Sequence, residues 1–345
     1  MKDQRKFIHF HCFVFLFIIY PFTLSSTEYL TIGGEKHGWE VSVHPDRGTI
    51  KQFRQLMGDV WETIPFRDDS LAGPAWSGMQ LWPSKKQLYV FEAHQGDIYY
   101  TLRYKAAYDH LIVECTISNR GDDVFRPEYS RLFIGVDSEM KTYPDWDTKF
   151  FPTLLRCEKD FAWGYFMSPR QIIMGIGVEE PVASYTLNYV YEGSMEWKWG
   201  HQIKTGSLDL LHCLPLPERH PQNNISLKPH ETRKWTLHLG VVDRLAGVKE
   251  KLSQWIQAPM IECEKYTMAG HETSRLLIHS QNGLEKLIVK APDGTQSVLP
   301  VDDVADNVYS ALFSPSSQKG LYRITATAIN GKTAEAGSFI RNPRS

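Results

Sequence analysis

Several things are scarce in this sequence, and each shortage narrows its chemistry. There are five cysteines in 345 residues, and no two of Cys115, Cys157, Cys213 and Cys263 stand at a metal-ligand spacing such as C-x2-C. Zinc is therefore not expected, and no other metal is indicated. Acidic and basic residues nearly cancel to a formal charge of -2, with no Lys/Arg block interleaved with aromatics. The electrostatic footprint of a nucleic-acid partner is missing. No G-x-S-x-G, Walker loop, H-E-x-x-H or dinucleotide fingerprint occurs, so serine hydrolase, NTPase, zincin and Rossmann readings fall away and no cofactor is implied. Helical periodicity is confined to one short segment.

Aromatic residues are plentiful, at 12% with ten Trp and sixteen Tyr. That composition suits β-sheet cores and also suits platforms that stack on sugar rings. The first residues have a basic start (Lys2, Arg5, Lys6), an apolar run from Phe7 to Phe22 and small residues before Glu28. This is the layout of a secretory signal peptide over 1–26, with cleavage near Ser25 or Ser26. A membrane anchor fits less well, because the run falls short of about 18 residues and contains His9, His11 and Pro21. Cys12 has no lipobox before it. The expected location is exported, periplasmic or cell-surface, with no membrane association after cleavage.

From residue 27 to about 243 the segments are short, alternating and β-rich. "WEVSVHPDRGTIKQF" reads as strand, turn and strand. Leu88 to Ala93, Ile98 to Ala106 and His110 to Asn119 read as three strands, and Cys115 among them reads as a small buried hydrophobe. "RLFIGVD", "AWGYFMS", "QIIMGIGV" and "KWTLHLGVV" continue the pattern. Many antiparallel strands in two large stacked sheets are expected. Over 244–258 the period changes: Leu245, Val248, Leu252 and Ile256 recur at helical spacing, with Asp243 as candidate N-cap and Pro259 as stop. Five or six short strands follow over 259–341, with turns at Gln281-Asn282-Gly283, Pro292-Asp293-Gly294 and Asn330-Gly331. Tyr322, Ile324 and Ala326 should face inward in the closing hairpin. Residues 342–345 read as a tail or linker.

This order of parts, together with "FAWGYFMSP" (161–169), "WGHQIKTGSLDLLHCLPLPERHPQN" (199–223) and "SLKPHETRKWTLHLGVVD" (226–243), resembles the N-terminal half of bacterial exported polysaccharide-degrading glycoside hydrolases. In those enzymes a galactose-mutarotase-like supersandwich and a small immunoglobulin-like module precede an (α/α)6 toroid. The resemblance implies an all-β fold: a large antiparallel supersandwich, a linking helix and a small immunoglobulin-like sandwich. It also implies that the catalytic residues sit on a C-terminal toroid or a separate chain, leaving this part to shape or bind a glycan, possibly an anionic one. Two alternatives stay open: a self-sufficient hydrolase, lyase or epimerase acting on uronic-acid-containing sugars, and a glycan-binding surface protein.

The candidate site residues follow from their chemistry. Trp197, Trp199 and His201 share one face if extended, so the indoles could stack on pyranose rings while His201 bonds a hydroxyl, or they could simply fill the core. "LPLPERHPQNN" displays Glu218, Arg219 and His220 on a proline-stiffened loop. Glu218 and His220 are candidates for acid/base work, and Arg219 for gripping a carboxylate. Among Glu128, Arg131, Asp137, Glu139, Asp145 and Asp147, the pair Asp145 and Asp147 is the best local candidate for two carboxylates about 5 to 10 Å apart, as glycosidases require. Trp76 and Trp82 lie in a Gly/Pro/Ser-punctuated stretch as candidate sugar platforms, with Lys85 and Lys86 able to attract an anion. His94, His110 and His201 are the strand histidines available to an epimerase-type acid.

Overall fold

The computed structural model describes residues 28–66, 70–71, 81–135, 151–167, 172–191, 201–212, 222–316 and 318–341. Strands β1 (Leu30–Gly34), β2 (Trp39–Val43), β3 (Ile50–Met57) and β4 (Val60–Pro65) form a four-stranded antiparallel meander. They are followed by β5 (Trp82–Pro83), β6 (Val90–Gln95), β7 (Ile98–Ala106), β8 (Leu111–Asn119), β9 (Tyr129–Ile134), β10 (Phe151–Cys157), β11 (Ala162–Met167), β12 (Ile173–Val178), β13 (Ser184–Tyr191), β14 (His201–His212) and β15 (Thr232–Val242). Eight of these make one large sheet in the order β10-β11-β12-β15-β8-β7-β6-β5, and three make a smaller one, β13-β14-β9. The large sheet is one layer of the supersandwich. The opposing layer is divided between the four-stranded and three-stranded sheets rather than forming a single sheet.

Alternation explains how the layers close. In β2, Trp39, Val41 and Val43 are fully buried, with Glu40 and Ser42 between them pointing the other way. In β8, Leu111, Val113, Cys115 and Ile117 do the same. These residues meet Ile134, Leu208 and Trp235 in one continuous core. Strand β12 and, from Trp235 onward, strand β15 are buried on both faces. Their inward residues, such as Met174, Ile176, Leu237 and Leu239, belong to the sandwich core. Their outward residues are covered by a helix.

That helix, α1, spans Val248–Ile256 and is preceded by a single 3-10 turn at Leu245–Gly247. The expected cap does not form: the N-cap is Gly247, no side chain caps it, and Leu245 is half exposed instead of joining the apolar stripe. The reason is that the 3-10 turn breaks the register, so the stripe starts at Val248 and continues through Leu252, Trp255 and Ile256, all buried. Glycines on the sheet make the seat. A Cβ on Gly177 would lie 2.3 Å from Ile256 Cγ2, and one on Gly240 would lie 2.8 Å from both Trp255 Cη2 and His110 Cβ. Each buried aliphatic or aromatic side chain in this seam contributes about 1.5–3 kcal/mol.

Beyond Pro259 come β16 (Met260–Cys263), β17 (Thr267–Ala269), β18 (Ser274–His279), β19 (Leu284–Lys290), β20 (Gln296–Val298), β21 (Asp302–Ala305), β22 (Val308–Phe313), β23 (Gly320–Ala328) and β24 (Thr333–Arg341). They form two sheets, β16-β18-β22-β21 and β17-β24-β23-β19-β20, stacked as a small immunoglobulin-like sandwich. Tyr322, Ile324 and Ala326 face inward as their alternation requires. Its core is continuous with the helix and with Phe161, Trp163 and Val242 on the outer face of the large sheet. The helix is therefore a wedge shared by two sandwiches. The β23–β24 turn of the small sandwich completes its C-terminus, where carbonyls would otherwise lack partners. Asn330 Nδ2 donates to Gln257 O at 2.8 Å, and Lys332 Nζ donates to Ile256 O at 2.8 Å. On the other side, Asp160 Oδ2 accepts from Thr333 N at 2.9 Å and from Thr333 Oγ1 at 2.6 Å.

Candidate functional site

Most of the residues that the sequence offered for chemistry, namely Trp76, Asp145, Asp147, Trp197, Trp199, Glu218, Arg219 and His220, lie outside the described residues. His201 opens β14, paired with Tyr191 across the strand. Trp82 stands on edge strand β5, 64% exposed and opposite Glu92, which suits a stacking platform more than a core position. Lys85 and Lys86 line a shallow groove of about 230 Å3 beside it. Arg131 on β9 reaches Asp209 on β14, Nε to Oδ1 at 2.9 Å, with the carboxylate almost fully buried. His94 stacks on Tyr99 at 5.3 Å, and the Arg120 guanidinium covers that tyrosine at 3.6 Å.

The third strand histidine has the most unusual setting. His110, at the β7–β8 turn, and His238, on β15, sit side by side on the outer face of the large sheet. His110 Nε2 lies 2.8 Å from His238 Nδ1. At one end His110 Nδ1 is 2.7 Å from Asp109 Oδ1, and Lys251 of helix α1 pairs with the other Asp109 oxygen. At the far end His238 Nε2 is 2.8 Å from Glu179 Oε1. Trp255 lies over the His110 ring at 4.7 Å. Four ionisable side chains from three parts of the chain thus form one hydrogen-bonded row beneath the helix.

Electrostatics follow the geometry. Burial holds the His110 imidazole below its usual range, with the facing His238 adding to this and the Asp109 hydrogen bond opposing it. The His110 hydrogen bond, joined by Lys251, holds the Asp109 carboxyl well below the usual carboxylate range against the effect of burial. Burial raises the Glu179 carboxyl, but the His238 hydrogen bond and the His238, Lys332 and Lys234 charges outweigh it and leave Glu179 below normal.

The Asp109 end opens onto a cavity of about 380 Å3 at the N-terminal side of α1. Its polar lining includes His37, Gln55, Asp243, Arg244, Glu250 and Gln254. A space of that size is within the range that holds small ligands. It is bordered by the end of β15 and by helix α1. Among the described residues no group of three or more His, Cys, Asp or Glu side chains is arranged to hold a metal ion. His238 was not singled out in the sequence. Its signal was a polar residue at an outward position of a strand whose next outward residue is glycine, a pattern that needs a covering element.

No protein-family model matches the sequence, and no curated protein matches it significantly. Solved structures do. The chain superposes on a polysaccharide lyase, BACCELL_00875, with a TM-score of 0.63 at 14% identity, over 91% of this chain and 48% of the lyase. The chain thus spans about half the length of that neighbour. A galactose mutarotase related enzyme from Lactobacillus acidophilus matches over 62% of this chain and 97% of its own, with 7% identity and a TM-score of 0.35. The first of these likenesses supports the fold over nearly the whole chain.

Proposed function

We propose that this protein serves polysaccharide breakdown as an exported β-sheet portion that shapes or binds a glycan cleft, with the bond-breaking groups supplied by another domain or chain. The observation that carries this reading is the superposition of nearly the whole chain on about half of a polysaccharide lyase. A second observation favours a non-catalytic role. Asp109, His110 and Glu179 are already engaged, with His238 and Lys251, in one hydrogen-bonded row, so the carboxylate that borders the cavity is committed to partners. Exposed Trp82, with Lys85 and Lys86 nearby, is the described surface best suited to an anionic glycan.

The test is affinity electrophoresis and calorimetry of the purified chain against a panel of neutral and uronic-acid-containing polysaccharides, with product analysis in parallel. Binding without product release is expected, weakened by Trp82→Ala. Release of unsaturated or reducing sugars by this chain alone would overturn the non-catalytic reading in favour of a self-sufficient enzyme. Absence of binding to every polysaccharide would overturn the glycan reading altogether.

A further inference from the structure

The row Asp109, His110, His238, Glu179 contains three consecutive hydrogen bonds, at 2.7, 2.8 and 2.8 Å. An ionised carboxylate only accepts, so His110 Nδ1 and His238 Nε2 must each carry a proton. The middle contact needs a third proton between His110 Nε2 and His238 Nδ1. Two neutral imidazoles carry only one each. A row with all three bonds made therefore holds three protons on four ring nitrogens, which means one neutral ring and one imidazolium.

We propose that this histidine pair is a one-proton clasp fastening helix α1, and with it the small sandwich, to the outer face of the large sheet. The clasp is closed while the pair carries a single positive charge. A fourth proton would turn the middle contact into two N–H groups facing each other at 2.8 Å. Losing the third would leave two lone pairs facing. Either change breaks the central bond and loosens what leans on it: Trp255 over His110, and Lys251 on Asp109.

The surrounding charges suit one extra proton. The β7–β8 turn supplies Asp109, the residues after β12 supply Glu179 and Glu180, helix α1 supplies Lys251, and the β23–β24 turn supplies Lys332. Lys234 on β15 also acts on Glu179 but is paired with Glu114 at 2.6 Å. Lys251 and Lys332 set two positive charges against the three carboxylates named here, and one charge on the histidine pair adds a third; Asp160 also acts on Lys332. His110 held below its usual range fits its role as the neutral, accepting ring, with His238 as the donor on both sides.

The pH dependence follows in sign. In the unfolded chain both histidines titrate near about 6.5, binding two protons in acid and none in base. The folded pair holds one across the window between. Below about pH 6.5 the unfolded chain binds more protons, so stability rises with pH; above it the unfolded chain binds fewer, so stability falls. The contribution of the pair is bell-shaped, peaking near about 6.5. Its flanks change the folding constant by up to about tenfold per pH unit.

Two measurements decide the matter. Unfolding midpoints of the full chain and of His238→Gln, taken from pH 5 to 9, should differ by a curve that peaks near neutrality; a flat difference would refute the clasp. Histidine-labelled parent protein, which needs no variant to fold, should give long-range nitrogen–proton correlations at pH 6.5 for one neutral ring protonated at Nδ1 and one ring protonated at both nitrogens. Two neutral rings, or two imidazolium rings, would overturn the proposal.

Discussion

Replacing Gly177 with alanine puts one methyl group into the seat of helix α1. That methyl would lie 2.3 Å from Ile256 Cγ2, with Leu252 Cδ2 at 3.7 Å behind it. Comfortable carbon contacts are about 3.5–4.0 Å, so something must give by about 1 Å. Ile256 is fully buried, and its Cγ2 hangs from a branched Cβ that a helix confines to one main rotamer. The side chain has little freedom to swing aside, so the helix itself must lift. Overpacking of this kind costs about 1–3 kcal/mol. The upper half of that range is expected, because lifting the helix also disturbs Trp255 and Lys251. Urea unfolding followed by tryptophan fluorescence measures the cost. A double-mutant cycle assigns it: Ile256→Ala alone should cost about 2–5 kcal/mol, and the two substitutions together at least about 1 kcal/mol less than their sum. A loss below about 0.5 kcal/mol for Gly177→Ala, or strict additivity with Ile256→Ala, would refute the picture of a tightly seated helix.

Burial pushes the thiols of Cys115 and Cys157 up to about 12, so neither should react with a maleimide in the native chain at pH 8, while both should label in urea. Peptide mapping by mass spectrometry checks this, and native labelling of Cys115 would contradict its enclosed position. Asp209→Ala removes the buried carboxylate that meets Arg131 Nε inside the β9–β14 pair; with the guanidinium partly exposed, a loss of about 2–3 kcal/mol is expected, read from the denaturation midpoint.

Local pattern made much of the fold legible. The strand Ile98–Ala106 has the bounds its alternation gave, and Tyr322, Ile324 and Ala326 point inward because a period of two leaves them no other choice beside a core. Strand β6 begins at Val90 rather than Leu88 because Leu88 lies in the turn before it and is 68% exposed. The helix was legible as an apolar stripe, but its start was not. Asp243 is a good cap by type, whereas the chain inserts a 3-10 turn and caps at Gly247. The histidine row was the least legible element. His110 and His238 are 128 residues apart, and nothing in either neighbourhood records that their strands pair. The same holds for Gly177 and Gly240, whose role appears only once Ile256 and Trp255 lie against them.

The way helix α1 ends has a consequence for biosynthesis. Nine residues are too few for a helix to persist alone in water. Two of the groups that complete its C-terminus, Asn330 and Lys332, lie 73 residues beyond Gln257 and 76 beyond Ile256. At a translation rate of about 5–20 residues per second, roughly 4–15 s pass between making the helix and making its stopper. A nascent chain that ends before residue 332 lacks part of this completion, so its helix should seat less firmly on the glycine floor of β12 and β15 and be the form most in need of a chaperone.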